Sequence, residues 1–373
     1  MKKILTIALV AVLAATSVFA GVNFSGRFRQ GYKFTFAEGK DVASTAWRSN
    51  EAKFVIKASD DNGIWTISLK DIGALDSNDK WAANASVSLT KLLAAAGVDT
   101  GDFSLDYNLG NNDRMAGLSA YNDVTASDYC MLNNDGTTSF ELAAAYGKLV
   151  KFNIAVDPTV APASVTAGSG FVFDSETGAA KPAEEVAVAK KEASTVISIA
   201  SEPVDGISVA AGYAYNGWIQ DATDAANNSK DEGFTDKHMI GASVKADIAK
   251  LADLDFKLSV SAYDNYAVKG KINSFAANIA SGVDTVDGYV EFAMKNTENK
   301  SVYALNTKIN FNVVENLGLD AYFKITNIEK TSDTFKVGAD VSYKLSGVQF
   351  ALNAEYARAK KEFTVTPKMI IAF

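Results

Sequence analysis

Residues Thr334–Phe373 read TFKVGADVSYKLSGVQFALNAEYARAKKEFTVTPKMIIAF, and this stretch decides the fold. Phe335, Val337, Ala339, Val341, Tyr343 and Leu345 take the odd positions; Lys336, Gly338, Asp340, Ser342 and Lys344 take the even ones. Successive side chains of a strand point to opposite faces, so this run has one apolar and one polar face. Ser346-Gly347 interrupts it, and the alternation resumes with Val348, Phe350, Leu352, Ala354 and Tyr356. Two long alternating runs around a two-residue turn predict a β-hairpin. Strands of soluble sheets are usually about 5–6 residues long. These reach about 11, the length a tilted strand needs to cross a bilayer's hydrocarbon core. A sheet in lipid must close, because an open edge leaves backbone groups unpaired there. The expectation is an all-β, antiparallel transmembrane β-barrel.

The first twenty residues are of another kind. Lys2 and Lys3 precede an apolar core from Ile4 to Ala15, and Val18-Phe19-Ala20 suits a signal peptidase. The apolar run is too short for a spanning helix, which needs about 20 residues. Residues 1–20 therefore read as a signal peptide cleaved after Ala20, leaving the barrel to residues 21–373. The formal charge of −8 becomes −10 once Lys2 and Lys3 are removed. An acidic chain is a poor partner for nucleic acid or for an anionic lipid surface. Cys130 is the only cysteine, so no intrachain disulfide can form. Only five prolines occur in the chain, three of them between Pro158 and Pro182, which leaves the strands almost free of proline.

Alternation also marks Val22 to Phe36, and Asn62-Gly63 supplies a tight turn between Ala52–Ser59 and Ile64–Lys70. Leu89 to Val98 is rich in Ala and Leu and reads as one or two helical turns. Asp157 to Ala193 is the longest irregular stretch, and Asn216 to Lys237 is a second long loop. Nineteen segments read as strands, with Met115–Tyr121 among them, whereas single-chain bacterial barrels have even numbers. The expectation is eighteen strands, with sixteen as the alternative. The tight turns at Gly147-Lys148, Pro203 to Gly206, Lys250 to Asp253, Val314 to Leu317 and Ser346-Gly347 all fall on one side. Both long loops fall on the other, an asymmetry typical of outer-membrane barrels.

The chain ends Phe363, Val365, Met369, Ile371, Phe373 on one parity. With the signal peptide and the alternating strands, this resembles the C-terminal signature of bacterial outer-membrane β-barrels of porin type. The Ala-rich leader and Lys/Asp-studded strands also resemble spirochaetal outer-membrane proteins. The resemblance implies a place in the bacterial outer membrane, among its lipids. It also implies that the C-terminal strand is read by the barrel-assembly machinery. General porins are often trimers, so it adds a homotrimer as an assembly to test. Pro367 departs from the pattern by removing a donor, which predicts a bulge there.

Aromatic residues gather near strand ends, as at Phe34, Phe36, Tyr213, Tyr215, Tyr263, Tyr266 and Tyr356, as in girdles at the lipid–water boundaries. Charges keep to the other parity. Arg27, Arg29, Lys33, Lys53, Lys57, Lys245, Lys257, Lys308, Lys324, Lys336 and Lys344 should point inward, as should Glu141, Asp247, Asp255, Asp320, Asp340 and Glu355. Lysine or arginine facing the lipid midplane costs about 2–4 kcal/mol, so these groups need a wet lumen or partners. They are the pore-lining candidates.

Little points to catalysis. His238 is the only histidine and Ser243 shares its strand, but no oriented third group accompanies them. Zinc needs more histidine or cysteine than this. Asp135-Gly136 with Glu141 places its Glu one position early for a calcium loop and lacks the earlier acidic ligands. No phosphate-binding or dinucleotide fingerprint is present, and no cofactor is expected. The first reading is a porin passing small hydrophilic solutes or ions, not an enzyme. The second is a surface adhesin or structural barrel that presents binding loops.

Overall fold

A computed structural model describes residues 22–46, 52–72, 82–110, 133–134, 139–158, 164–166, 171–173, 180–182, 186–188, 192–220, 233–325, 327–328 and 335–372. The signal-peptide reading (1–20), Cys130 and Met115–Tyr121 lie outside the described residues.

Eighteen antiparallel strands close into a barrel. They are β1 (Val22–Ala37), β2 (Ala52–Ser59), β3 (Trp65–Ile72), β4 (Ala82–Ser88), β5 (Phe103–Gly110), β6 (Ser139–Tyr146), β7 (Val150–Asp157), β8 (Ser194–Val204) and β9 (Ile207–Gln220). The second half comprises β10 (Gly233–Asp247), β11 (Lys257–Ala267), β12 (Ile272–Val283), β13 (Val286–Thr297), β14 (Lys300–Val314), β15 (Leu317–Ile325), β16 (Phe335–Leu345), β17 (Val348–Ala357) and β18 (Glu362–Ala372). Each pairs with its neighbour in the chain, and β1 pairs with β18, Arg27 opposite Ala372 and Phe36 opposite Phe363, so the wall has no free edge. β5 pairs directly with β6, Tyr107 opposite Leu142, so no further strand stands between them in the wall. That accounts for the nineteenth segment.

The outer face is apolar because its environment is. Phe34, Ile67, Ile199, Ile240, Ile279, Ile309, Val341 and Leu352 are all exposed and share the outward parity of their strands. The largest fully buried side chains in the wall, Met239, Val196, Glu291, Asn265 and Asn306, lie on the opposite parity and face inward. Val196, Ala210, Ala214, Met239 and Ala267 form one small apolar cluster there.

The two ends differ. One carries short connections such as Asp205-Gly206, Glu315-Asn316 and Ser346-Gly347, with Asn316 and Ser346 in left-handed conformations (φ 66° and 45°) that such tight turns require. The same end holds helix α1 (Leu89–Ala95) and the single turn α2 (Ile248–Leu251), capped by the Asp247 side chain, which accepts from the Lys250 N–H. Lys250 Nζ lies 2.5 Å from Asp205 Oδ1. That hydrogen bond lowers the Asp205 carboxyl below its usual range and raises the Lys250 ammonium.

The other end carries the long connections, and here the structure differs from the sequence reading. Within Asp157 to Ala193, Ser164–Thr166 pairs with Val186–Val188 and Phe171–Phe173 with Ala180–Pro182, so this stretch contains a β-arm of two nested rungs. The Asn216 to Lys237 loop is shorter than its composition suggested, since β9 and β10 stay paired from Gly217 opposite Asp236 to Gln220 opposite Gly233. Gly217, Gly233 and Asp236 look like turn formers but sit in a continuing ladder. Pro367 causes no bulge: Leu352 faces Pro367 in an unbroken β17–β18 register. The unmade rung falls instead at the seam, where the β1–β18 ladder skips Tyr32 and Lys33 between Gly31 opposite Lys368 and Phe34 opposite Val365.

Candidate functional site: the inner wall

The inner face is set by register. Arg27, Arg29 and Lys33 of β1, Lys57 of β2, Glu141 of β6, Lys245 and Asp247 of β10 and Lys257 of β11 share it. So do Lys308 of β14, Asp320 and Lys324 of β15, Lys336, Asp340 and Lys344 of β16, and Glu355 of β17. Lys53 is the backbone partner of Arg27 across β1 and β2. Asp255 is off the strands, in the exposed turn ahead of β11.

On β14 to β18 these charges meet. Lys308 Nζ is 2.9 Å from Asp320 Oδ2, and Lys368 Nζ is 3.5 Å from Asp340 Oδ1. Lys336 Nζ stands 4.0 Å from Glu355 Oε1. The Tyr322 hydroxyl donates to Glu355 Oε2 at 2.9 Å and accepts from Asn353 Nδ2 at 3.2 Å. The Lys324 ammonium sits 5.1 Å from the centroid of the Tyr322 ring, within cation–π range. Half-buried pairs of this kind contribute on the order of 1 kcal/mol or less apiece.

The sectors differ. The described inward residues of β1 and β2 include Arg27, Arg29, Lys33 and Lys57 and no acid, whereas β5 to β7 present Asp106, Glu141 and Asp157 with Lys151. From β8 to β14 small polar side chains stand between the charges, with Ser198, Ser243, Ser261, Ser274, Asn265, Asn278 and Asn306 all buried. Amide atoms of Asn265, Asn278 and Asn306 there have no hydrogen-bond partner within the protein. Buried polar groups in proteins are normally satisfied, so these are places for water or a solute.

The sequence reading missed several inner-wall groups. Asp106, Lys151, Asp287, Glu291 and Lys368 obey the same parity rule and could have been found by it. A recess of 180 Å³ lined by Thr66, Ser68, Asn84, Ser86, Asn108 and Glu141 could not, because neutral polar residues on a strand's wet face carry no mark of their own. Asn133–Asn134 was also missed. It pairs with Gly217–Trp218 of β9, so the connection leaving β5 reaches the wall four strands on. Of the aromatics the sequence placed in a girdle, Tyr213 and Tyr215 lie on the outer face beside the exposed His238, whose Nδ1 is 2.7 Å from the Tyr213 hydroxyl and whose ring packs edge-on to Tyr215. Tyr263 is instead buried on the inner face, opposite Ser243, because it shares the parity of Ser261 and Asn265. Among the described residues no group of three or more His, Cys, Asp or Glu could hold a metal ion.

No family model matches this chain, and no curated protein does. Solved structures do. OpdQ of Pseudomonas aeruginosa is 9% identical, with a TM-score of 0.53 over 95% of this chain and 97% of that one. A mutant of Rhodopseudomonas blastica porin is 11% identical, with a TM-score of 0.43 over 94% of this chain and 100% of that one. At such identity the likeness to OpdQ is one of fold: this chain has the architecture of a porin-type β-barrel.

Proposed function

We propose that this protein is a porin of the bacterial outer membrane, a passive diffusion channel for small hydrophilic solutes or ions. The observation that carries the reading is a closed eighteen-stranded wall, apolar outside, whose inner face bears charged and amide side chains. Barrels of this strand number are wide enough for an aqueous lumen. Arg27, Arg29, Lys33, Lys53, Lys57, Lys245, Lys308, Lys324, Lys336, Lys344, Glu141, Asp320, Asp340 and Glu355 would set its selectivity. The signal peptide is cleaved after Ala20, the alternating end through Phe373 engages the assembly machinery, and the folded barrel associates as a homotrimer. Diffusion through such a wall requires no cofactor and no catalytic group.

A second reading, a surface barrel that presents binding loops, is favoured by one observation: the described rungs of the arm between Ser164 and Val188 pair only with each other. Single-channel conductance of the folded protein in a planar bilayer decides between them. Discrete, reproducible steps are expected, and the reversal potential under a salt gradient reads the ion preference. A silent bilayer, with folding shown by heat-modifiable migration on a gel, overturns the channel reading in favour of the second.

A further inference from the structure

We propose that helices α1 and α2 are two interfacial feet that seat the barrel in the lipid leaflet at its short-connection end. The proposal rests on the reading of the wall as membrane-spanning and goes beyond it by giving these two connections a partner.

Both feet are built by one local pattern. Ser88-Leu89-Thr90-Lys91-Leu92 follows β4 and Asp247-Ile248-Ala249-Lys250-Leu251 follows β10, each running from the residue that caps the helix through an apolar residue to a lysine and a leucine. Leu89 continues Ala83, Ala85 and Val87 on the lipid-facing parity, because Ile67 and Trp65, opposite Ala85 and Val87, are exposed on the outer wall. Ile248 continues the exposed Val244 and Ala246 in the same way. A helix returns the same face at i+3 and i+4, so Leu92 and Leu93 extend the face of Leu89, and Leu251 that of Ile248. The lysine at i+2 stands about 200° round the helix, off that face.

Packing holds both helices in line with the wall. Thr90 is buried, and its Oγ1 accepts from the Leu105 N–H at 3.0 Å, one step past the last β4–β5 pair, Ser88 opposite Asp106. Asp247, whose N–H donates to the Gly206 carbonyl at 2.8 Å, starts α2 from the end of the β9–β10 ladder. The leucines are left open: Leu92 is 50% exposed, Leu93 45% and Leu251 44%. Gly97 ends α1 in a left-handed conformation (φ 87°), and the Val98 N–H donates to the Leu93 carbonyl, which returns the exposed Val98 beside the same stripe.

Continuity identifies what covers them. The outer wall meets hydrocarbon, and at this end it finishes in the exposed aromatics Trp65, Phe103 and Tyr146, the residues of a lipid–water boundary. α1 leaves the wall between Trp65 of β3 and Phe103 of β5. An amphipathic helix at that level buries its apolar face about 5–10 Å into the boundary between headgroups and acyl chains. The occupant is the phospholipid leaflet itself, continuous with the lipid against the wall.

The test places nitroxide labels on the folded protein in phosphatidylcholine vesicles, with Cys130→Ser removing the one native thiol. Labels at Leu92→Cys, Leu251→Cys, Lys91→Cys and, on the outer wall, Ile309→Cys are read by collision with oxygen, which enriches in lipid, and with a water-soluble nickel chelate. The oxygen-to-nickel ratio at Leu92 and Leu251 is expected to be several-fold above that at Lys91 and to approach that at Ile309. Folding of each variant is checked by heat-modifiable migration, and Leu93→Cys replaces Leu92→Cys on the same face if the latter does not fold. A ratio at either leucine as low as at Lys91, with Ile309 in lipid, overturns the feet and leaves the membrane-spanning wall intact. A lipid-like ratio at Lys91 overturns the orientation on which the feet depend. A water-like ratio at Ile309 overturns the membrane reading, and the feet with it.

Discussion

Gly338 shows how one residue organises the charged sector of the wall. It lies directly opposite Tyr322, and a Cβ built on it would fall on the Tyr322 ring and 2.9 Å from the Ala354 carbonyl oxygen. The tyrosine therefore lies across the glycine, where its hydroxyl reaches Glu355 and Asn353 and its ring lies beneath Lys324. Gly338→Ala should displace the ring, break both hydrogen bonds and press on a backbone that cannot move alone. Overpacking of this kind costs about 1–3 kcal/mol. Urea unfolding of the detergent-folded protein should show that loss, and a Tyr322→Ala background should recover most of it by removing the clash. An unchanged midpoint for Gly338→Ala would mean that the tyrosine is not held by its neighbours. The even position of Gly338 among Lys336, Asp340 and Ser342 made its inward face legible in the sequence, but a strand pattern does not say which residue faces it on the next strand.

At the scale of elements, periodicity carried nearly the whole fold. It marked the terminal hairpin, the closing strand and the helical turns at Leu89–Ala95, because each keeps its period over a full turn or strand. It failed where elements are too short or too irregular in composition: the three-residue rungs at Phe171–Phe173 and Ala180–Pro182, and the ends of β9 and β10, where Gly217, Gly233 and Asp236 mimic a loop. Proline is the instructive case. Pro367 promised a bulge, but a proline can keep register if its missing donor coincides with a rung the partner can forgo. Here that rung lies at the β1–β18 seam, beside an outer groove of 570 Å³ that includes Tyr32, Tyr343, Phe350, Leu352 and Met369. Pro367→Val should restore one ladder hydrogen bond and stabilise the barrel by about 1 kcal/mol. The readout is a higher temperature for conversion of the compact gel band to the unfolded one. Conversion at the parent's temperature or below would place the missing donor elsewhere.

The whole molecule divides its labour between a closed wall and the connections at one end, and the wall does not depend on them. All eighteen strands find both neighbours within the barrel, whereas the described rungs of the arm between Ser164 and Val188 pair only with each other. Of the described segments in the long connections, Asn133–Asn134 is bound to the wall beyond its own flanking strands, through Gly217–Trp218. Replacing residues 164–188 with a short Gly-Ser link should therefore leave folding intact, since a longer or shorter loop changes closure entropy only slowly. Conductance should stay close to the parent's if the arm stands clear of the lumen. Replacing Asn133–Asn134 with Gly-Gly keeps the backbone donors and removes both side chains, so it should alter conductance less than Trp218→Ala, which alters the receiving strand. Opening β18 is different in kind. Deleting residues 362–373 exposes the edges of β1 and β17 in hydrocarbon, where each unpaired backbone group costs several kcal/mol, and no compact band should form at all. A folded, conducting product from that truncation would show that the seam between first and last strands is dispensable, and the closed wall would no longer explain the protein.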